Sequence, residues 1–65
     1  MNISDIIIRH PEITSFSELE QAVIAAAQAG EIHLYFDIKP EYPDTPRGWE
    51  GRLERAFCYA ERPKT

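Results

Sequence analysis

The side chains that could take part in chemistry are few and poorly spaced. His10, His33 and Cys58 are the nitrogen and sulfur ligands of the 65 residues, and none lies at the spacing of a metal site. His33 and Asp37 would lie roughly 13 Å apart along a strand, too far for a hydrogen-bonded dyad. Cys58 has no base near it in sequence, so we expect a buried or half-buried structural thiol. The pattern predicts no enzyme, no metal site and no cofactor.

Two helices are predicted towards the ends of the chain. Residues 4–10 would form the first, with Ser4 as N-cap, although three consecutive isoleucines within it also suit a strand. The second would begin with Thr45 as N-cap and Pro46 in the first helical position, before an apolar stripe at helical spacing. A strand over Leu53–Tyr59 is the alternative in that region.

The clearest helix lies between them. Two serine–glutamate pairs are placed to form its capping box: Ser15 with Glu18, or Ser17 with Glu20. An apolar stripe and an alanine-rich stretch follow, and Gly30 suits the left-handed conformation that ends many helices. A helix over about residues 15–29 is therefore predicted.

Residues 32–38 alternate strictly between apolar and polar side chains, which predicts a strand. His33, Tyr35 and Asp37 would share its polar face. A strand needs a partner for its backbone groups. The choices are the N-terminal isoleucines, the segment 53–59, the same strand of a second copy, or an edge on another protein.

A chain of this length forms one domain with a marginal core, so residues 1–65 are expected to be a single α+β domain. Two or three helices would pack on the one amphipathic strand. Prolines at every third position make 39–46 a stiff spacer. The start lacks an export signal, and the longest uncharged stretch is well below the roughly 20 residues that span a bilayer. A cytoplasmic protein without a membrane role is expected.

Charge is distributed unevenly around a net value of −4. Residues 1–46 carry a balance of −6 and residues 47–65 a balance of +2. Such a chain is poorly suited to binding phosphates, which argues against a nucleic-acid ligand, and is better suited to a protein partner with a basic surface. The order of elements also matches a small helix-turn-helix protein, with residues 15–29 in the major groove and arginines at 47, 52 and 55 on the phosphates.

The stretch AGEIHLYF, residues 29–36, follows a capped helix. In this it resembles the openings of short accessory proteins carried by phages and prophages, over roughly residues 15–38. The resemblance implies a small regulatory product that binds and redirects or inhibits a host protein. It carries over no functional residues.

The predicted function is non-catalytic, stoichiometric binding of a protein partner, as an inhibitor or modulator. The expected contact residues are those of an acidic face and of the polar strand face: Glu18, Glu20, Glu31, His33, Tyr35 and Asp37. Trp49, Tyr42 and Tyr59 are expected to fill the core and cover the linker. Of these, Tyr42 and Trp49, beside the linker and two glycines, are the ones expected to lie exposed as binding anchors. A helix-turn-helix DNA-binding regulator is the first alternative. A self-assembling factor that forms a homodimer is the second.

Overall fold

The computed structural model describes residues 1–61, and in them the chain folds as three helices. They are α1 (Ile3–Arg9), α2 (Phe16–Gln28) and α3 (Trp49–Tyr59), and α2 packs against both of the others. The predictions of a short first helix, a long second helix and a helix near the carboxyl end are confirmed. The basic tail residues Arg62 and Lys64 lie outside the described residues. None of the helices within residues 1–61 has the length and apolar character needed to cross a bilayer.

The ends of α2 follow from its local sequence. The Ser15 hydroxyl accepts a hydrogen bond from the Glu18 N–H at 3.2 Å, as the capping box predicts. At the other end Gly30 has a φ of +109°, a conformation open mainly to glycine. The Gly30 N–H donates to the Ala27 carbonyl and the Glu31 N–H donates to the Ala26 carbonyl, so these two carbonyls of the last turn have partners.

The other two helices begin at residues that differ from the predicted ones. Asn2 rather than Ser4 is the N-cap of α1. Gly48 rather than Thr45 precedes α3. The Thr45 hydroxyl instead accepts a hydrogen bond from the Tyr42 N–H at 3.1 Å, which stabilises a turn ahead of the helix.

The core lies where the three helices meet. Nine buried apolar side chains form it: Ile3, Ile6, Phe16, Leu19, Val23, Ala27, Trp49, Leu53 and Phe57. They recur at three- and four-residue intervals along each helix, so each helix buries one stripe. The segment 39–46 contributes as well, because Pro40 is fully buried and Tyr42 packs against the core.

The α+β prediction is wrong, because the chain is mainly helical over residues 1–61. The strand predicted over residues 32–38 does not form. The segment 31–38 makes a single isolated bridge, a parallel one between Asn2 and Tyr35. Of the predicted pairing partners, it is the amino terminus that lies beside it. Since α1 already begins at Ile3, only Met1 and Asn2 precede the helix, and this length is too short for a ladder.

Candidate functional site

The segment 31–38 is hydrogen-bonded to the start of the chain along one edge. The Tyr35 N–H donates to the Met1 carbonyl at 2.8 Å, and the Ile3 N–H donates to the Tyr35 carbonyl at 3.1 Å. The terminal ammonium donates to the His33 carbonyl at 3.1 Å. Alternate residues of the segment therefore use the same edge, as in a chain paired in extended form.

The other edge of the segment has no backbone partner in the described part of the chain. Successive residues of an extended chain direct their N–H and C=O groups to opposite edges, so Leu34 and Phe36 face away from residues 1–3. Neither backbone makes a hydrogen bond within residues 1–61. The segment thus offers an open row of donors and acceptors that water or another chain must satisfy.

Two apolar side chains hold this segment on the helices. Leu34 and Phe36 are half-buried and pack against the core. The Phe36 ring meets the Trp49 ring edge to face, with centroids 5.7 Å apart and planes at 85°. An aromatic pair of this geometry contributes about 0.5–1.5 kcal/mol beyond its buried area. The open edge therefore belongs to a segment that is anchored through one of its faces.

The remaining face and the two ends of the segment are exposed. Ile32, Tyr35 and Ile38 expose 68%, 56% and 44% of their surface. His33 is exposed too, and its ring stacks on that of Tyr35 with centroids 6.2 Å apart and planes at 23°. The exposure predicted for His33 and Tyr35 is confirmed. The two isoleucines were placed by the alternation on the apolar face, yet they lie beyond the reach of the small core.

Asp37, a predicted contact residue, serves the start of α1. Its carboxylate accepts hydrogen bonds from the Ser4 N–H at 3.1 Å and from the Ser4 hydroxyl. Both bonds favour the charged form, the hydroxyl bond more strongly, and they hold the pKa of Asp37 below its ordinary value. Nothing in the sequence pattern indicates this contact, which joins residues 33 positions apart.

A shallow groove of about 270 Å³ separates the segment from α3. Ile32, His33, Leu34 and Phe36 line it from one side, and Glu54 and Cys58 from the other. Cys58 is exposed, so the expectation of a buried or half-buried thiol is wrong. It follows the buried Phe57, and one residue is about 100° around a helix, enough to leave the packed stripe.

The predicted acidic face does not form one surface. Glu18 and Glu20 lie in the first turns of α2 and Glu31 lies beyond its end, roughly 15–20 Å away at 1.5 Å per residue. The Glu18 carboxylate accepts a hydrogen bond from the Thr14 hydroxyl at 3.0 Å. Glu20 pairs with Arg52 of α3 at 3.2 Å. Only Glu31 of the three is exposed without an ion pair or side-chain hydrogen bond within residues 1–61.

The expectation that Tyr42 and Trp49 lie exposed is wrong. Trp49 is 9% exposed and belongs to the core. Tyr42 is half-buried against it, and burial, followed by the charge of Glu18, raises the pKa of its hydroxyl. Tyr42 belongs to the segment 39–46, which packs on the helices through the buried Pro40 instead of standing away from them as a spacer. Trp49 lies on the buried stripe of α3.

Asp44 is a structural residue that the sequence reasoning missed. Its carboxylate accepts from the Phe16 N–H at 2.6 Å and from the Ser17 N–H at 3.2 Å, so it caps α2 from 28 residues away. The Phe16 bond is the main reason that the pKa of Asp44 lies below its ordinary value. An aspartate between prolines predicts a turn, but nothing in sequence connects it with a helix start.

A second, larger groove of about 870 Å³ lies between α2 and α3. Ile24, Ala56 and the highly exposed Tyr59 contribute apolar surface to it. Glu20 and Arg52 pair across it, and Arg55 lines it nearby. Acidic and basic groups are thus mixed along this groove, and its charge favours neither sign of ligand.

No family model, curated protein or solved structure matches the chain. Within residues 1–61, no group of three or more histidine, cysteine or carboxylate side chains is placed to hold a metal ion. The feature that stands out from the rest of the surface is the segment 31–38, with its open backbone edge and exposed apolar side chains.

Proposed function

We propose that this chain is a non-catalytic binding protein that pairs the open edge of the segment 31–38 with an extended segment of another protein. The observation that supports it is that the backbones of Leu34 and Phe36 lack partners within residues 1–61, while Tyr35 between them is fully paired. Edge pairing gives affinity through main-chain hydrogen bonds and specificity through side-chain contacts. Occupying a partner's extended segment one-to-one suits an inhibitor or modulator.

The charges around the edge favour a basic and apolar partner segment. Glu31 and Asp37 lie at the two ends of the segment, and Glu54 lines the groove beside it. Residues 1–61 as a whole carry eleven acidic and five basic side chains. Lysine or arginine alternating with apolar residues is therefore the partner composition that complements this surface.

A chemically synthesised chain with a methyl group on the backbone nitrogen of Phe36 tests the edge directly. The change removes one donor and blocks the edge, and every side chain stays the same. Short random peptides selected against the unmodified chain should alternate apolar and basic residues. These peptides should bind the methylated chain about tenfold more weakly or worse, since a hydrogen bond is lost and a methyl group intrudes.

The matched control carries the methyl group on the nitrogen of Arg47, an exposed residue whose N–H makes no hydrogen bond within residues 1–61. Its affinity for the selected peptides should equal that of the unmodified chain. The proposal fails if methylation at Phe36 leaves binding unchanged. It also fails if the selected peptides space their apolar residues at helical intervals.

The DNA-binding alternative gains no support from the contacts of its residues. The sequence of α2 contains no lysine or arginine to meet phosphates. Arg52 pairs with Glu20 and lies over the Phe16 ring, 5.7 Å from its centroid. Helix-turn-helix function stays a prediction, and binding to duplex DNA that weakens steeply with salt would be its signature.

A further inference from the structure

We propose that a second copy of this chain occupies the open edge when no partner is bound, in an antiparallel register centred on Tyr35. The inference rests on the proposed function, because both use the same backbone edge. It identifies the segment with which any partner must compete. The three-helix fold of each copy is unchanged by this pairing.

The sequence of residues 32–38, IHLYFDI, is chemically symmetric about its central tyrosine. Antiparallel pairing about Tyr35 gives four kinds of cross-chain pair: Ile32 with Ile38, His33 with Asp37, Leu34 with Phe36, and Tyr35 with itself. Each apolar residue meets an apolar residue. The imidazole meets a carboxylate, which is a complementary pair.

The open backbone groups match this register. Leu34 and Phe36 carry the unpaired groups, and each would face the other across the two-fold axis as a hydrogen-bonded pair that exchanges two N–H···O bonds. A shift by one residue would instead require the groups of Tyr35, which already bind Met1 and Ile3. Any alternative register must therefore differ from this one by a shift of two residues between the two chains.

Shifts of two residues are chemically poorer. One direction places Glu31 opposite Asp37, two carboxylates whose repulsion is destabilising. The other places His33 opposite Lys39, which have no complementary charge. The symmetric register alone pairs His33 with Asp37. The carboxylate of Asp37 is exposed, and after accepting from Ser4 it keeps lone pairs for the imidazole.

The side chains left exposed in the single chain are those that the pairing brings together. Ile32 and Ile38 expose 68% and 44% of their surface, and each would lie beside the other across the axis. Tyr35, 56% exposed, would meet its own counterpart. Aromatic and β-branched cross-chain pairs of this kind stabilise extended pairing.

Cysteine cross-linking tests the register. Cys58→Ser first removes the single native thiol, and Tyr35→Cys then introduces one at the axis. Residues at a non-hydrogen-bonded pair have Cα atoms about 4.5 Å apart, within the roughly 4.4–6.8 Å range that a disulfide spans. Mild oxidation should convert most of this variant to a covalent dimer at concentrations where the parent dimerises.

The matched control is His33→Cys in the same background. His33 is also exposed and shares a face with Tyr35, but its two copies would lie roughly 13 Å apart along the chain direction. It should remain uncross-linked. Equal or greater cross-linking at residue 33 would overturn the register, and a chain that stays monomeric in light scattering at every concentration would overturn the dimer.

A charge substitution gives a second readout that does not depend on thiols. His33→Glu places like charges opposite each other twice across the axis, so the dimer dissociation constant should rise several-fold. Gln21→Glu makes the same change of charge on the exposed face of α2 and should leave the constant unchanged. An equal effect of the two substitutions would contradict the His33–Asp37 contact.

The two proposals fail in different experiments. A monomeric chain that still selects alternating peptides would overturn the dimer and leave the binding function standing. A dimer in the symmetric register that selects no peptide would support this inference and overturn the binding of a different protein.

Discussion

Replacing Phe36 by alanine should loosen the whole fold, because this ring joins the open-edged segment to α3. The ring is half-buried and contacts Trp49 edge to face. Truncating a fully buried phenylalanine costs about 3–5 kcal/mol, so a half-buried ring accounts for about 2 kcal/mol. The aromatic contact adds about 0.5–1.5 kcal/mol. The expected loss is therefore about 2.5–3.5 kcal/mol.

That loss is large for this chain. At about 0.05–0.15 kcal/mol per residue, a domain of this size has a free energy of unfolding of roughly 3–10 kcal/mol. Urea unfolding followed by the fluorescence of Trp49, the single tryptophan, reports on the same contact. With a slope of about 1 kcal/mol per molar urea, the midpoint should fall by roughly 2.5–3.5 M. The emission of the folded variant should also shift to longer wavelength as Trp49 becomes exposed to water.

Ile32→Ala provides the control. This side chain belongs to the same segment but is 68% exposed, so its loss should change the free energy of unfolding by less than about 0.5 kcal/mol. If Phe36→Ala moved the midpoint no further than Ile32→Ala, the segment would not be anchored through this ring. The view of the open edge as a fixed surface would then be refuted.

Further substitutions test the helices and their caps. Leu53→Ala empties a fully buried site and should lower the free energy of unfolding by about 2–5 kcal/mol, measured by chemical denaturation. Ser15→Ala removes the N-cap of α2 and should cost about 1 kcal/mol, whereas Ser17→Ala, in an exposed first-turn position, should be nearly neutral. The pKa values of Asp37 and Asp44 are lowered in the folded chain from an ordinary value of 3.8. Their contribution is thus present above pH 3.8 and is lost as the pH falls through the folded values. Changing both aspartates to asparagine should lower the free energy of unfolding at neutral pH and should make that free energy fall less steeply as the pH is lowered below 3.8. If the pH dependence of stability stayed the same, the two carboxylate caps would be contradicted.

The helices could be read from local signals because those signals lie within a few residues of each other. Ser15 and Glu18 form the predicted capping box, and Gly30 ends the helix as its type suggests. The apolar stripe of α3 was equally clear from Leu53 and Phe57. The first residue of α3 was harder to predict, because the Thr45 hydroxyl stabilises a turn ahead of the helix and does not cap the helix itself.

The strand predicted over residues 32–38 shows what an alternating pattern alone cannot predict. The alternation of apolar and polar residues correctly predicted that the Leu34 side chain is the more buried and that the Tyr35 side chain is exposed. Alternation describes one chain, however, and a strand also needs a neighbour of matching length. The neighbour here is short: Met1 and Asn2 precede α1, and Ile3, its first residue, adds one N–H.

The contacts of the candidate site were hidden for a related reason. Glu20 looked like part of an acidic face, but Arg52 neutralises it from 32 residues away. Asp37 looked like a surface group, but it caps α1. Side-chain type gave the chemistry of each group, and the tertiary fold decided which groups remained open to a partner.

The two aspartate caps have a consequence for how the chain acquires its structure. Both amino-terminal helices begin on carboxylates that are made later in synthesis, at residues 37 and 44. A helix as short as α1 has little stability on its own. A nascent chain ending before residue 37 would lack both anchors and all of α3, so neither carboxylate contact can form until those later residues have been made.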